Sequence, residues 1–451
     1  MQKTVVIDIV GLSSGLIGEH TPFLKQYTQS RFINPITPML PAVTTSVQST
    51  YVTGKWPSEH GIVGNGWYDR IECEIKFWKQ SNKLVQGEKI WDKAKRIDPG
   101  FTCSKMFWWY NMYSTADYSV TPRPNYLADG RKMPDCYSHP ATLRDELQKE
   151  LGLFPLFQFW GPGANIKSTQ WIAAASVITD KKYNPTLTLI YLPHLDYCLQ
   201  KFGQNFNLIA NELREIDGVV EQLIAHYSKS GALIILLSEY GITNVDRPVY
   251  LNRVLRQNGW LQIRVERGLE LLDAGASAAF AVADHQVAHV YLNDQAIISK
   301  VRSVLEKIPG VELVLDKNEQ RAYHIDHERS GDLVVMADAR SWFCYYFWME
   351  DSKAPDYARV VDIHKKPGYD PVEMFMTSKL RAGYKLLRKK AALRYVMDVI
   401  PLDATLIKGS HGRVNTASSF QPVLITEHQP IKKELLCTDV HDIIWQHLSG
   451  E

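Results

Sequence analysis

The sequence offers no cysteine pair spaced for a zinc knuckle or a redox motif: Cys73, Cys103, Cys136, Cys198, Cys344 and Cys437 are scattered, with no CxxC among them. They read as reduced core residues. No apolar run approaches the ~20 residues that a membrane helix needs, so no membrane span is expected. The opening MQKTVVIDIVGLSSG enters a strand pattern without the apolar stretch and cleavage site of a secretory signal, and a cytoplasmic protein is expected. Net charge is nearly missing as well: 51 basic against 49 acidic residues leave +2, too weak a field to hold a nucleic-acid duplex. Repeats and low-complexity linkers are lacking, so no domain boundary is sharp.

What is present is a globular composition, 45% hydrophobic and 22% charged, on a chain of 451 residues, long enough for an α/β core carrying insertions. Aromatic residues cluster, as in Phe107-Trp108-Trp109-Tyr110 and in the run Trp342 to Trp348, and such clusters read as packing rather than ligand stacking. One basic segment, Lys379 to Arg394, reads as a solvated helix face, with contact to an anionic surface as the alternative.

Short, nearly all-apolar runs at Thr4–Val10, Thr186–Leu192 and Ala232–Leu237 fit strands buried on both faces of a mainly parallel sheet. Ligands collect at the carboxyl ends of such strands, which draws attention to Asp8, Asp196 and Glu239. The irregular, proline-containing stretch from about 71 to 140 reads as an insertion over the core. From 261 to 400 the pattern is mixed: strands at Ala288–Leu292 and Asp332–Ala337 and a helix near Ala296–Lys307 suggest a cap.

The segment Pro41 to Asp69, PAVTTSVQSTYVTGKWPSEHGIVGNGWYD, is the most informative. Taken locally, Thr44 before a helix-compatible stretch is an N-cap, and Asn65 between Gly64 and Gly66 is a turn residue. As a whole, the segment resembles the nucleophile region of the alkaline phosphatase superfamily, in its nucleotide pyrophosphatase/phosphodiesterase branch and the related phosphonoacetate hydrolases. Val52-Thr53-Gly54-Lys55-Trp56-Pro57-Ser58-Glu59-His60-Gly61-Ile62 matches that branch's V-T-G-x-x-P-x-x-H-G-I, whose nucleophilic threonine lies ten residues before the glycine, here Thr44 rather than Thr45.

The resemblance implies a three-layer α/β sandwich with a mainly parallel central sheet and an inserted smaller cap. Residues 1–260 and 401–451 would form the catalytic core and 261–400 the cap. It implies a phosphodiesterase or pyrophosphatase that forms a covalent phospho-enzyme on Thr44, with Asn65 donating to a phosphoryl oxygen. The alternatives are a phosphomonoesterase, phosphonate hydrolase or phosphoryl transferase using the same site, or an inactive scaffold. The substrate would be a small phosphate ester or a nucleotide-like molecule. Two divalent ions are implied, because a threonine hydroxyl is a poor nucleophile until a cation or base takes its proton. Their ligands would be Asp8, Thr44, Asp196, Glu239 and His411, the last in Gly409-Ser410-His411-Gly412, which looks like the family's late G-x-H-G.

Two departures stand out. Ser238-Glu239-Tyr240-Gly241 replaces the family's S-D-H-G, and Asp196-Tyr197-Cys198-Leu199-Gln200 replaces its D-x-x-x-H. Two imidazoles are thereby lost. Zinc is the metal the resemblance implies, while the remaining oxygen ligands shift preference toward manganese or magnesium. Candidates to supply the missing ligands are Asp362 with His364, then His285, His289, His324 and His327.

Overall fold

The computed structural model describes residues 1–128, 131–391, 393, 395–430, 432 and 434–450; Arg394, the end of the basic segment, lies outside them. The central element is a sheet of nine strands. Its members in chain order are β1 (Thr4–Ile9), β2 (Phe32–Thr37), β3 (Cys103–Met106), β4 (Tyr118–Pro122), β5 (Cys136–His139), β6 (Leu187–Leu192) and β7 (Leu233–Leu237), joined near the end of the chain by two more. Between them in sequence lies a separate four-stranded sheet of β8 (Ala279–Asp284), β9 (Val287–Leu292), β10 (Val311–Leu315) and β11 (Leu333–Ala337); β12 (Val423–Thr426) and β13 (Leu435–Leu436) then complete the first. The large sheet runs β13-β2-β12-β7-β1-β6-β3-β4-β5, and its centre, β7-β1-β6-β3-β4, is parallel throughout.

Side-chain alternation divides the core into the two layers that flank this sheet. Val6, Leu189, Ile235 and Leu237 pack with Val47 and Tyr51 of α1 (Thr44–Thr53) and with Val440 and Ile444 of the C-terminal helix Asp439–Ser449. Val5, Ile7, Ile190 and Leu236 face the other way, onto Ile172 of α2 (Ile166–Tyr183) and Leu213 and Val220 of the helix Phe206–Lys229. Asp8 has the parity of Val6, so it projects toward α1, and it sits inside β1 rather than beyond its end. All three apolar runs are therefore the buried parallel strands the sequence suggests.

The stretch 71–140 corrects the sequence reading. Rather than lying wholly over the core, it contributes β3, β4 and β5 to the main sheet. These strands are short, β3 carries the polar pair Ser104-Lys105, and Pro122 ends β4, so no long apolar run announces them. Within 261–400, β9 and β11 cover the expected strands, and the expected helix is found at Ile298–Leu305. The aromatic run from Trp342 to Trp348 is buried packing. Among the described residues, no helix is long and apolar enough to cross a membrane.

Candidate active site

Thr44 is the first residue of α1, and the N-cap position falls to Val43, whose side chain cannot cap. The local reading of Thr44 as a cap is thus not what the structure shows. The two adjacent threonines are sharply distinguished. Thr45 Oγ1 donates to the Gly64 carbonyl at 2.8 Å, whereas Thr44 Oγ1 lies 3.0 Å from the Tyr240 hydroxyl. The amino end of α1, where first-turn amides lack helical partners, is a natural place for a phosphoryl group. Asn65 braces this turn: its Oδ1 accepts from the Thr45 N–H at 3.1 Å, and its Nδ2 donates to Asp284 Oδ1 at 3.1 Å.

Five of the seven proposed ligands converge here. Asp8 and Glu239 lie side by side, both wholly buried, with Gln48 Nε2 donating to Glu239 Oε1 at 2.5 Å and reaching Asp8 Oδ2 at 3.4 Å. Burial, and then Glu239, push the Asp8 carboxyl well above the usual carboxylate range; burial pushes Glu239 up to about 7. On the other side of Thr44, the Tyr240 hydroxyl donates to Asp196 Oδ1 at 3.2 Å, and the Tyr240 ring stacks on His411 at 3.5 Å. Gln200 Nε2 donates to Asp196 Oδ2 at 2.7 Å, and Tyr369 donates to Gln200 Oε1 at 3.0 Å. Burial raises Asp196 to about 7 as well.

The residues present fit divalent cations. Asp8 Oδ1, Glu239 Oε2 and His411 Nε2 are buried without a hydrogen-bond partner. His411 Nδ1 faces the Ala42 carbonyl at 2.8 Å, which assigns the proton to that nitrogen and leaves the Nε2 lone pair free, 3.7 Å from Asp196 Oδ1. Two facing carboxylates and an unprotonated imidazole nitrogen, all out of water, are costly until a cation joins them.

Asp362 and His364 have other partners. The Asp362 amide donates to Glu373 Oε1 at 2.9 Å, and His364 Nδ1 lies 3.3 Å from the Phe77 carbonyl. His289 is held on both nitrogens, by the Val63 carbonyl at 2.9 Å and the Gly331 amide at 3.0 Å. His324 stacks on Trp56, and His327 accepts from the Arg329 amide. Only His285 of the alternatives reaches the cluster. At the β8–β9 turn, its ring lies 3.8 Å from that of His411, and its Nδ1 lies 2.8 Å from Asp284 Oδ1. Sequence reasoning missed Gln48 and Asp284. Gln48 follows Thr44 by one helical turn, a spacing that places both on one face of α1 and could have exposed it.

Glycine at position 241 is required by close approach. A Cβ there would fall 1.7 Å from the Phe420 carbonyl oxygen, directly after Glu239 and Tyr240. Gly241→Ala is expected to cost about 3 kcal/mol or more of stability, read from chemical denaturation.

A buried threonine at a helix start, flanked by carboxylates and a histidine from a mainly parallel sheet, belongs to an α/β fold of the class that hydrolyses phosphorus ester bonds. The chain belongs to the type I phosphodiesterase/nucleotide pyrophosphatase family, whose model matches residues 4–370. A Schizosaccharomyces pombe protein named an uncharacterized pyrophosphatase/phosphodiesterase is 26% identical over 268 residues, covering 56% of this chain and 48% of that protein. Ectonucleotide pyrophosphatase/phosphodiesterase 2 of Saccharomyces cerevisiae is 23% identical over 267 residues, covering 54% and 48%. The chain spans about half the length of these curated relatives.

Solved structures show the same fold. Murine ectonucleotide pyrophosphatase/phosphodiesterase 5, as an inactive threonine-to-alanine variant in complex with AMP, superposes with a TM-score of 0.60 at 15% identity, covering 100% of this chain and 95% of that one. Phosphonoacetate hydrolase from Sinorhizobium meliloti 1021 in complex with phosphonoformate gives 0.62 at 15% identity, covering 99% and 96%.

Proposed function

We infer that the protein is a divalent-cation-dependent hydrolase of phosphodiester or pyrophosphate bonds in which Thr44 Oγ1 attacks phosphorus. The observation that carries this is the convergence of Asp8, Glu239, Asp196 and His411 around the Thr44 hydroxyl, with buried, unpartnered donor atoms on Asp8, Glu239 and His411. Asp8, Thr44 and Glu239 would hold one cation, and Asp196 and His411, with Gln200 in place of the usual imidazole, the other. Bound there, divalent ions supply Lewis acidity that lowers the hydroxyl pKa and offsets charge on the phosphoryl oxygens.

The chain's own groups do the rest. The amino end of α1 orients the phosphoryl group. Asn65 fixes that turn through Thr45, which leaves the Thr44 hydroxyl to react. The Oγ1–phosphorus bond forms as the bond to the leaving oxygen breaks, and that oxygen takes up the proton Thr44 gave away. Water then cleaves the phosphothreonine and restores the hydroxyl. The structural neighbours bound to AMP and to phosphonoformate support a small, nucleotide-like or phosphonate-like substrate.

A second reading, a family member without turnover, is favoured by one set of contacts. Thr44 is only 3% exposed, its hydroxyl is engaged by Tyr240, and Gln48 bridges the Asp8–Glu239 pair, so side chains already occupy each other. Substrate reaches Thr44 only when Tyr240 releases it. The two readings separate when chelator-stripped protein is titrated with manganese, zinc or magnesium and assayed on an aryl phosphodiester. Restored turnover with bound cation supports the hydrolase; no cation bound and no turnover supports the inactive form.

The raised carboxyl values give a further expectation. In the metal-free protein, Glu239 and Asp196 keep protons up to about 7 that the unfolded chain releases near ~4. The unfolded state therefore binds fewer protons between those values, and stability falls as pH rises through that window, by roughly 3–4 kcal/mol for each of the two groups. Divalent cation should stabilise the fold more at pH 8 than at pH 5.5. Thermal unfolding at both values, with chelator and with manganese, checks this.

A further inference from the structure

The basic helix Lys379–Lys390 is oriented the wrong way round for a solvated face. Its sequence, KLRAGYKLLRKK, holds six basic residues and no acidic one. At about 100° per residue, Leu380, Tyr384 and Leu387 share one stripe. That stripe points into water: Leu380 is 88% exposed, Leu387 66% and Tyr384 56%. Among the helix side chains described, only Ala382, on the opposite side, is buried. The helix is held in this pose through its charges. Arg381 and Lys385 both pair with Asp398, at 2.5 and 2.7 Å, so the polar side is anchored to the protein and the leucines are turned outward. Beyond the helix, Leu393 and Val396 continue the exposed apolar surface, at 55% and 54%.

We propose that this helix docks the protein on an anionic phospholipid surface, with Leu380, Tyr384 and Leu387 entering the headgroup–acyl boundary and the net positive charge of the segment, beyond the Arg381 and Lys385 pairs with Asp398, drawing it to lipid phosphates. Burying the exposed leucines supplies the apolar part of the binding, and the one-signed charge supplies the preference for anionic lipid. An acidic bilayer matches both features at once. A neutral protein groove would match only the apolar stripe, and an acidic protein surface only the charge. Docking of this kind would hold the protein parallel to a membrane without spanning it, in keeping with the lack of a spanning helix among the described residues.

Co-sedimentation of the full chain with vesicles tests this. Binding is expected to vesicles containing about 30% phosphatidylserine, to be at least ~10-fold weaker to pure phosphatidylcholine, and to weaken with salt. The double variant Leu380→Glu, Leu387→Glu should lose at least ~10-fold of the affinity while keeping the parent's circular dichroism and unfolding midpoint, since both residues lie on the exposed stripe. The proposal is overturned if the parent ignores anionic vesicles at low salt, or if the double variant binds them as tightly as the parent. It is also overturned if sedimentation velocity shows the parent as a dimer that this variant dissociates, because the stripe would then be covered by a second copy.

Discussion

Replacing Thr44 with alanine is expected to lower turnover of an aryl phosphodiester by about 10³-fold or more, with the fold intact. Thr44 Oγ1 meets the Tyr240 hydroxyl and the Glu239 carboxyl, so its loss removes polar contacts within the site and no apolar packing of consequence. Thr45→Ala provides the contrast. The Thr45 hydroxyl closes the turn to Gly64, so its loss should weaken the fold by about 1 kcal/mol and reduce turnover far less. Thr44→Ser should retain measurable activity, since the hydroxyl survives. A steady-state assay on the three variants, with circular dichroism as the control, decides between the neighbouring threonines. Equal activity in the parent and Thr44→Ala would remove the proposed nucleophile.

The second large effect concerns Asp8, and its two consequences have opposite signs. In the metal-free protein, Asp8 and Glu239 are buried together; burial disfavours the ionised form of both, and Glu239 adds to that for Asp8. Asp8→Asn replaces one carboxylate with an amide that can donate to Glu239, and it should stabilise the chelator-treated protein by roughly 1–3 kcal/mol. The same change removes a charged ligand, and it should abolish most cation-dependent stabilisation and lower turnover by about 10²-fold or more. Paired denaturation curves with and without manganese measure both. A variant that is less stable without metal, or equally stabilised by it, would mean that the two carboxylates serve the fold rather than a cation. Functional sites commonly carry such a stability cost.

Much of this architecture is legible in the sequence because it depends on local pattern. The apolar runs at β1, β6 and β7 are long enough and uniform enough to be recognised as doubly buried strands. The segment from Thr44 to Asn65 is legible for a different reason: its resemblance to the family motif, running through left-handed Gly54 and the turn at Gly61, selects Thr44, where the local pattern alone reads only a cap. The strands β3 to β5 escape notice, since residues such as Lys105 break the apolar pattern. Lys105 is buried all the same, with its ammonium group satisfied by the Trp109 and Tyr110 carbonyls.

Partners brought together across hundreds of residues are harder to see. Asp284 meets Asn65 at a sequence separation of 219, and His285 meets His411 only because the β8–β9 turn leans onto the loop after Gly409. Spacing within a motif carries no trace of such contacts. The contacts of Asp362 and His364 are hidden from the sequence for the same reason. An aspartate and a histidine two apart look like ligands in isolation, but their side of the fold faces Phe77, Lys365 and Glu373.

The most direct measurement is anomalous diffraction from crystals soaked in manganese or zinc. The account predicts a peak bounded by Asp8, Glu239 and Thr44 Oγ1, within ~2.3 Å of that oxygen, with Gln48 Nε2 displaced from between the carboxylates. Soaked crystals that show no peak there, with the Gln48 amide still bridging Asp8 and Glu239, would contradict it.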